Sequence, residues 1–143
     1  MAPAQAFTET VREIISRHPK SLLAARWDDA QALDPSPVPE AFWIRESKEL
    51  INIVWLGHAG IADITWFPTS RTATLNYLPF ANVADLEVRE GPKAAQTMGL
   101  SVSGDLVVKV RAGEDFGLIW VATDKRNASG LRRLARAILK LIS

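Results

Sequence analysis

The stretch Leu50-Ile51-Asn52-Ile53-Val54-Trp55-Leu56-Gly57-His58-Ala59-Gly60-Ile61-Ala62-Asp63-Ile64-Thr65-Trp66-Phe67 decides the fold class. β-branched and aromatic residues fill it on both sides of a Gly-His-Ala-Gly break, the composition of two strands joined by a tight turn. Residues 50–57 and 61–67 therefore predict an antiparallel hairpin, since a parallel crossover needs a dozen residues or more. The same grammar continues downstream. Runs at 72–78, 83–89, 98–103, 106–111 and 116–123 read as further strands. The breaks between them have turn chemistry: Pro68-Thr69-Ser70, Pro79-Phe80-Ala81-Asn82, Gly91-Pro92, Ser103-Gly104-Asp105 and Gly113-Glu114-Asp115.

Both flanks of this strand-rich stretch are helical. Asp124 is suited to an N-cap, and after it Leu131, Leu134, Ala135, Ile138, Leu141 and Ile142 share one face of a helix. Such a helix is marginal alone and gains its stability by burying large aliphatic residues, at about 1.5–3 kcal/mol each. It predicts a lid on the sheet. Upstream, Phe7, Val11, Ile14 and Ile15 have helical spacing over residues 3–18, and Leu22, Leu23 and Trp27 suggest a second short helix ending near Leu33. Pro35-Ser36-Pro37-Val38-Pro39 then excludes helix and interior strand, and reads as a connector. The expected fold is α+β: a seven-stranded antiparallel roll over residues 49–143 closed by the C-terminal helix, preceded by a helical segment and connector over 1–48, all in one compact domain.

Seven antiparallel strands followed by one amphipathic helix resemble the pleckstrin-homology superfold. Leu78-Pro79-Phe80-Ala81-Asn82-Val83-Ala84-Asp85-Leu86-Glu87-Val88-Arg89-Glu90-Gly91 looks like the third-to-fourth strand passage of bacterial pleckstrin-homology-like domains, where a proline-containing turn leads into a strand with acidic residues outside. The resemblance covers about residues 49–142. It implies a non-catalytic binding or protein-interaction module. Phosphoinositide-binding members gather Lys and Arg around the first hairpin, and Leu50–Phe67 holds none, which argues against that ligand by that mode. A helix-grip protein that binds or acts on a small apolar molecule is the alternative. That fold usually begins with a strand, and none is read here before the helices.

The bulk composition excludes several function classes. With 143 residues, 48% hydrophobic and 23% charged, the chain has the makings of one self-sufficient globular core. It contains no cysteine, hence no disulfide framework, thiol nucleophile or thiolate metal site. Two histidines make a poor zinc set, and neither a calcium loop nor a Gly-rich phosphate loop is present, so no metal or cofactor is expected. The N-terminal residues lack the pattern of a secretory signal, and a cytoplasmic location is the default expectation. His58 in its turn and Asp63 five residues on could be imagined as a base and its orienter, but no nucleophile accompanies them. The chain is not expected to be an enzyme.

Two surfaces are candidates for contact. Alternation puts Ile51, Ile53 and Trp55 on one face of the first run and Leu50, Val54 and Leu56 on the other, with Ile119 and Val121 similarly placed on the last. These strands read as buried on both sides. The N-terminal helices are the favoured cover, and a homodimer or protein-partner surface at Leu50, Val54, Leu56, Ile119 and Val121 is the other explanation. The second candidate is the i, i+4, i+8 stripe Arg132, Arg136, Lys140. From Arg126 onward five basic residues stand without an acidic one, in a chain of net charge +1. A solvated face is the favoured reading, weak contact with an anionic membrane surface the sharper one, and near-neutrality argues against nucleic acid. Five tryptophans are read chiefly as core.

Overall fold

A computed structural model describes residues 3–18, 22–35, 41–91, 105–114 and 116–142. Its described residues form an α+β fold with an N-terminal helical segment, two antiparallel sheets of four and three strands, and a C-terminal helix. The chain divides into two compact units, Met1–Tyr77 and Leu78–Ser143.

In the first unit, helices α1 (Pro3–Arg17) and α2 (Leu22–Leu33) precede strands β1 (Phe42–Glu46), β2 (Ile51–Leu56), β3 (Gly60–Phe67) and β4 (Thr72–Pro79), the last of which carries the chain into the second unit. The sheet order is β1-β2-β3-β4. Across it Ile53 stands opposite Ile44 on one side and Ile64 on the other, and Trp55 opposite Phe42 and Ala62. Residues paired in this way share a face. The face made of Ile51, Ile53, Trp55, Ala62, Ile64 and Trp66 forms one core with Phe7, Val11 and Ile14 of α1 and Leu23 and Ala30 of α2. Phe7 is central to it, with ring centroids 4.8 Å from Phe42 and 5.8 Å from Trp55, while Trp27 lies 5.2 Å from Trp55. The N-terminal helices therefore cover this face of the sheet themselves. Of the two neighbouring leucines that open α2, Leu22 is exposed and Leu23 is buried.

Strand β1 was not expected. Phe42, Trp43 and Ile44 are good strand formers, but the run is five residues long, ends in Arg45-Glu46, and follows the Pro-rich stretch. Its pairing with β2 comes from tertiary context that a local pattern does not carry. The expected boundary at residue 48 falls inside the β1–β2 hairpin. The expected strand 98–103 and the connector 36–40 lie outside the described residues.

The second unit holds a 3-10 turn (Phe80–Asn82), strands β5 (Asp85–Glu90), β6 (Leu106–Arg111) and β7 (Gly117–Ala122), and helix α3 (Lys125–Ile142). The sheet order is β5-β6-β7, with Val108 opposite both Val88 and Trp120. Asp124 caps α3 as expected: its carboxylate accepts the Asn127 N–H at 2.8 Å and its carbonyl the Ala128 N–H at 2.9 Å. A cap of this kind contributes about 1 kcal/mol. Ala128, Leu131, Leu134, Ala135 and Ile138 are buried along the helix, which packs on all three strands. Leu141, expected on this face, is exposed.

Candidate functional site

His58 and Asp63, the imagined catalytic pair, are committed to different places. Asp63 stands opposite Val54, buried, where it accepts a hydrogen bond from Asn52 Nδ2 at 2.7 Å and one from the Thr65 hydroxyl at 3.3 Å. Asn52 donates also to the Ile64 carbonyl at 3.0 Å, so the cluster satisfies polar groups within a buried strand pair. His58 lies exposed in the β2–β3 turn, its backbone N–H bound to Asp34.

Asp34 is the polar residue that sequence reasoning missed. It follows the last residue of α2 and is buried. Its carboxylate accepts the N–H groups of His58 at 3.1 Å and Ala59 at 3.0 Å, and the hydroxyl of Tyr77 at 2.8 Å. Gly57 is required beside it, because a Cβ there would collide with the Asp34 carboxylate. One side chain thus ties the end of α2 to a hairpin turn and to β4. The only signal was an Asp at a helix end together with a Gly-rich turn whose amides need an acceptor. The chemistry is that of an anchor.

Burial pushes the Tyr77 phenol up from 10.0 to about 12, helped by its bond to Asp34 and by that carboxylate's charge. The neutral phenol is favoured in the folded state, so this contribution is present below pH 10 and lost as pH rises from 10 to about 12. Tyr77 is the sole tyrosine of the chain, so absorbance near 295 nm reports it alone. The titration midpoint is expected near 12 in the native protein and lower, though still above 10, in Asp34→Asn, since burial is the larger cause and remains. Equal midpoints would show that Asp34 has no part in the shift.

The apolar candidate surface requires a correction. All six residues of β2 are buried, Val54 and Leu56 included, and Val121 is buried as well. Leu50 is half-buried, and of the five candidates Ile119 alone is exposed, at 40%. Three of the five therefore offer nothing to a partner, because alternation identifies a second apolar face but not what the fold lays over it.

The basic candidates are also redistributed. Arg132 sits at the edge of the helix's buried face, its guanidinium 2.7 Å from Glu90 at the end of β5. Arg136 and Lys140 are exposed, together with Lys125, Arg126 and Arg133. At 100° per residue those five side chains and Ser129 fall within an arc of about 100° centred opposite Leu131. An i, i+4, i+8 row drifts by about 40° at each step, so the expected stripe ran diagonally from the flank into this arc. Neither Asp nor Glu occurs in α3. Leu139 and Leu141, each 44% exposed, border the buried face near the helix's C-terminal end, about 80° to either side of Leu131.

On the charged face of the second sheet, Arg111 reaches Asp85 at 3.2 Å and Glu87 at 3.1 Å, and Arg89 reaches Glu87 at 2.6 Å. These arginines hold the Glu87 carboxyl below its ordinary value, Arg89 contributing most. Among the described residues no group of three or more His, Cys, Asp or Glu is placed to hold a metal ion, and no helix is long and apolar enough to cross a membrane. Comparisons with protein-family models, with curated proteins and with solved structures each return no match.

Proposed function

We propose that the chain is a non-catalytic, cytoplasmic binding module of the pleckstrin-homology-like kind that docks an anionic partner on the outer face of α3. The observation that carries this is the division of labour on that helix: its apolar face is used against the second sheet, its outer face exposes Lys125, Arg126, Arg133 and Arg136, and neither Asp nor Glu occurs in it. Four strands, then three, then a C-terminal helix is the order of that superfold, which supports the fold-family reading. The motif likeness is weaker. The passage Leu78–Gly91 joins the fourth strand to the fifth, and its acidic residues Asp85 and Glu87 are engaged by Arg111 and Arg89. With β1 in place the first hairpin is Phe42–Leu56, which contains Arg45 and Lys48, so the argument against a phosphoinositide drawn from residues 50–67 loses its premise.

Immobilised heparin is a suitable probe, because charge contact of this kind weakens with salt. The full chain is expected to be retained at low salt and to elute well after an Arg126→Gln, Arg133→Gln, Arg136→Gln variant. Co-elution of the two proteins would remove α3 as the docking face.

A further inference from the structure

Helix α2 carries a line of side chains that its own fold leaves open. At 100° per residue, Leu22, Arg26, Asp29 and Leu33 fall within about 60° of one another, on a flank about 80° from the buried Leu23 and Ala30. Leu22 is 47% and Leu33 60% exposed, the latter the most open large apolar side chain among the described residues. The other flank is the covered one: Ala24, Trp27 and Gln31 are half-buried there, and the Trp27 ring lies 6.0 Å from that of Phe7 in α1. Between the two leucines, Arg26 Nη1 pairs with the Asp29 carboxylate at 2.6 Å, while the Arg26 Nε–H is buried without an acceptor. Ala25 and Ala32, both exposed, border the line on its solvent side, where small side chains let a second helix come close.

The order of these residues selects the occupant. Apolar, basic, acidic, apolar at 22, 26, 29 and 33 becomes its own complement when the helix is turned end over end. An antiparallel second α2 sets Leu22 against the partner's Leu33 and Arg26 against the partner's Asp29, and both pairings share one centre, between residues 27 and 28. A parallel copy would instead set arginine against arginine and aspartate against aspartate. Self-complementarity of this kind is what a two-fold interface requires. The four charges alternate in sign around the axis, and a second carboxylate supplies an acceptor for guanidinium N–H groups that Asp29 leaves unused. We propose that α2 is a homodimer contact, packing antiparallel against α2 of a second copy of this chain. Its 12 residues span about 18 Å, so the contact is small and the dimer weak and concentration-dependent. Pairing through α2 requires nothing of the α3 face.

The test is sedimentation equilibrium of the full chain over micromolar to millimolar concentrations. The native chain is expected to pass from monomer to dimer and no further. Leu22→Gln, Leu33→Gln should raise the dissociation constant roughly ten-fold or more. Asp29→Arg and Arg26→Asp should each be monomeric, because each sets like charges against one another. An equimolar mixture of those two proteins should dimerise again, and so should a single chain carrying both substitutions. These four side chains are exposed or half-buried, and far-UV circular dichroism checks that every variant keeps the native helix content. A native chain that stays monomeric at millimolar concentration would overturn the proposal. So would undiminished dimerisation of the double leucine variant, or failure of either the mixture or the doubly reversed chain to dimerise. Assembly beyond the dimer would overturn it as well, since a two-fold contact closes on itself.

Discussion

Trp55→Ala is expected to destabilise the protein by about 3–5 kcal/mol, the range for truncating a large aromatic in a core that cannot fully collapse. Trp55 is 1% exposed and lies at the meeting point of three elements: Phe7 of α1, Trp27 of α2 and Ala62 of β3. The loss would include the aromatic contacts as well as apolar area, because tilted ring pairs contribute about 0.5–1.5 kcal/mol beyond burial. Against the roughly 5–15 kcal/mol that hold an ordinary domain together, this is a large fraction. Urea denaturation followed by far-UV circular dichroism measures it as a fall in midpoint. Since the N-terminal helices depend on this sheet face, amides of α1 and α2 should lose hydrogen-exchange protection together in the variant. A change below about 1 kcal/mol would mean that the helices are held by something other than this core.

What could be read in advance follows from how local the cause is. Helix α3 was legible in its N-cap and apolar face because both are set within a few residues: Asp124 acts on Asn127, and Leu131, Leu134 and Ile138 repeat at the helical period. The strands of long apolar runs were legible for the same reason, with β6 at the expected residues. Strand β1 was hidden because its justification is Trp43 opposite Val54 and Ile44 opposite Ile53, pairings that skip over the Ser47–Leu50 turn. The candidate surface at Val54 and Leu56 failed on the same ground: alternation says that a face is apolar, and only the fold says whether it is covered. The basic stripe was half legible. Its charge was plain in the composition, but the orientation of the helix decided that Arg132 would turn to Glu90 while Arg133 faced outward. Asp34 was the hardest to see, since its partners are 24, 25 and 43 residues away.

That distance makes Asp34 the site of the second large effect. Hydrogen bonds to a charged group contribute about 1.5–3 kcal/mol each, so three bonds set an upper bound well above what will be observed. His58 and Ala59 are exposed, and their N–H groups can turn to water when the carboxylate is removed. The half-buried Tyr77 hydroxyl has poorer access to solvent. Asp34→Ala is therefore expected to cost about 2–4 kcal/mol, with Asp34→Asn, which keeps one acceptor oxygen, at the lower end. Gly57 supplies the control that separates an anchor from a merely buried charge. A methyl group at Gly57 drives against the same carboxylate, so Gly57→Ala should also destabilise the native chain, yet add little once Asp34 is alanine. The double-mutant cycle over Asp34→Ala and Gly57→Ala should show a coupling of about 1 kcal/mol or more. Additive effects would mean that the turn is held by its own Gly57 to Gly60 hydrogen bond, 2.8 Å long, and that the carboxylate only accompanies it.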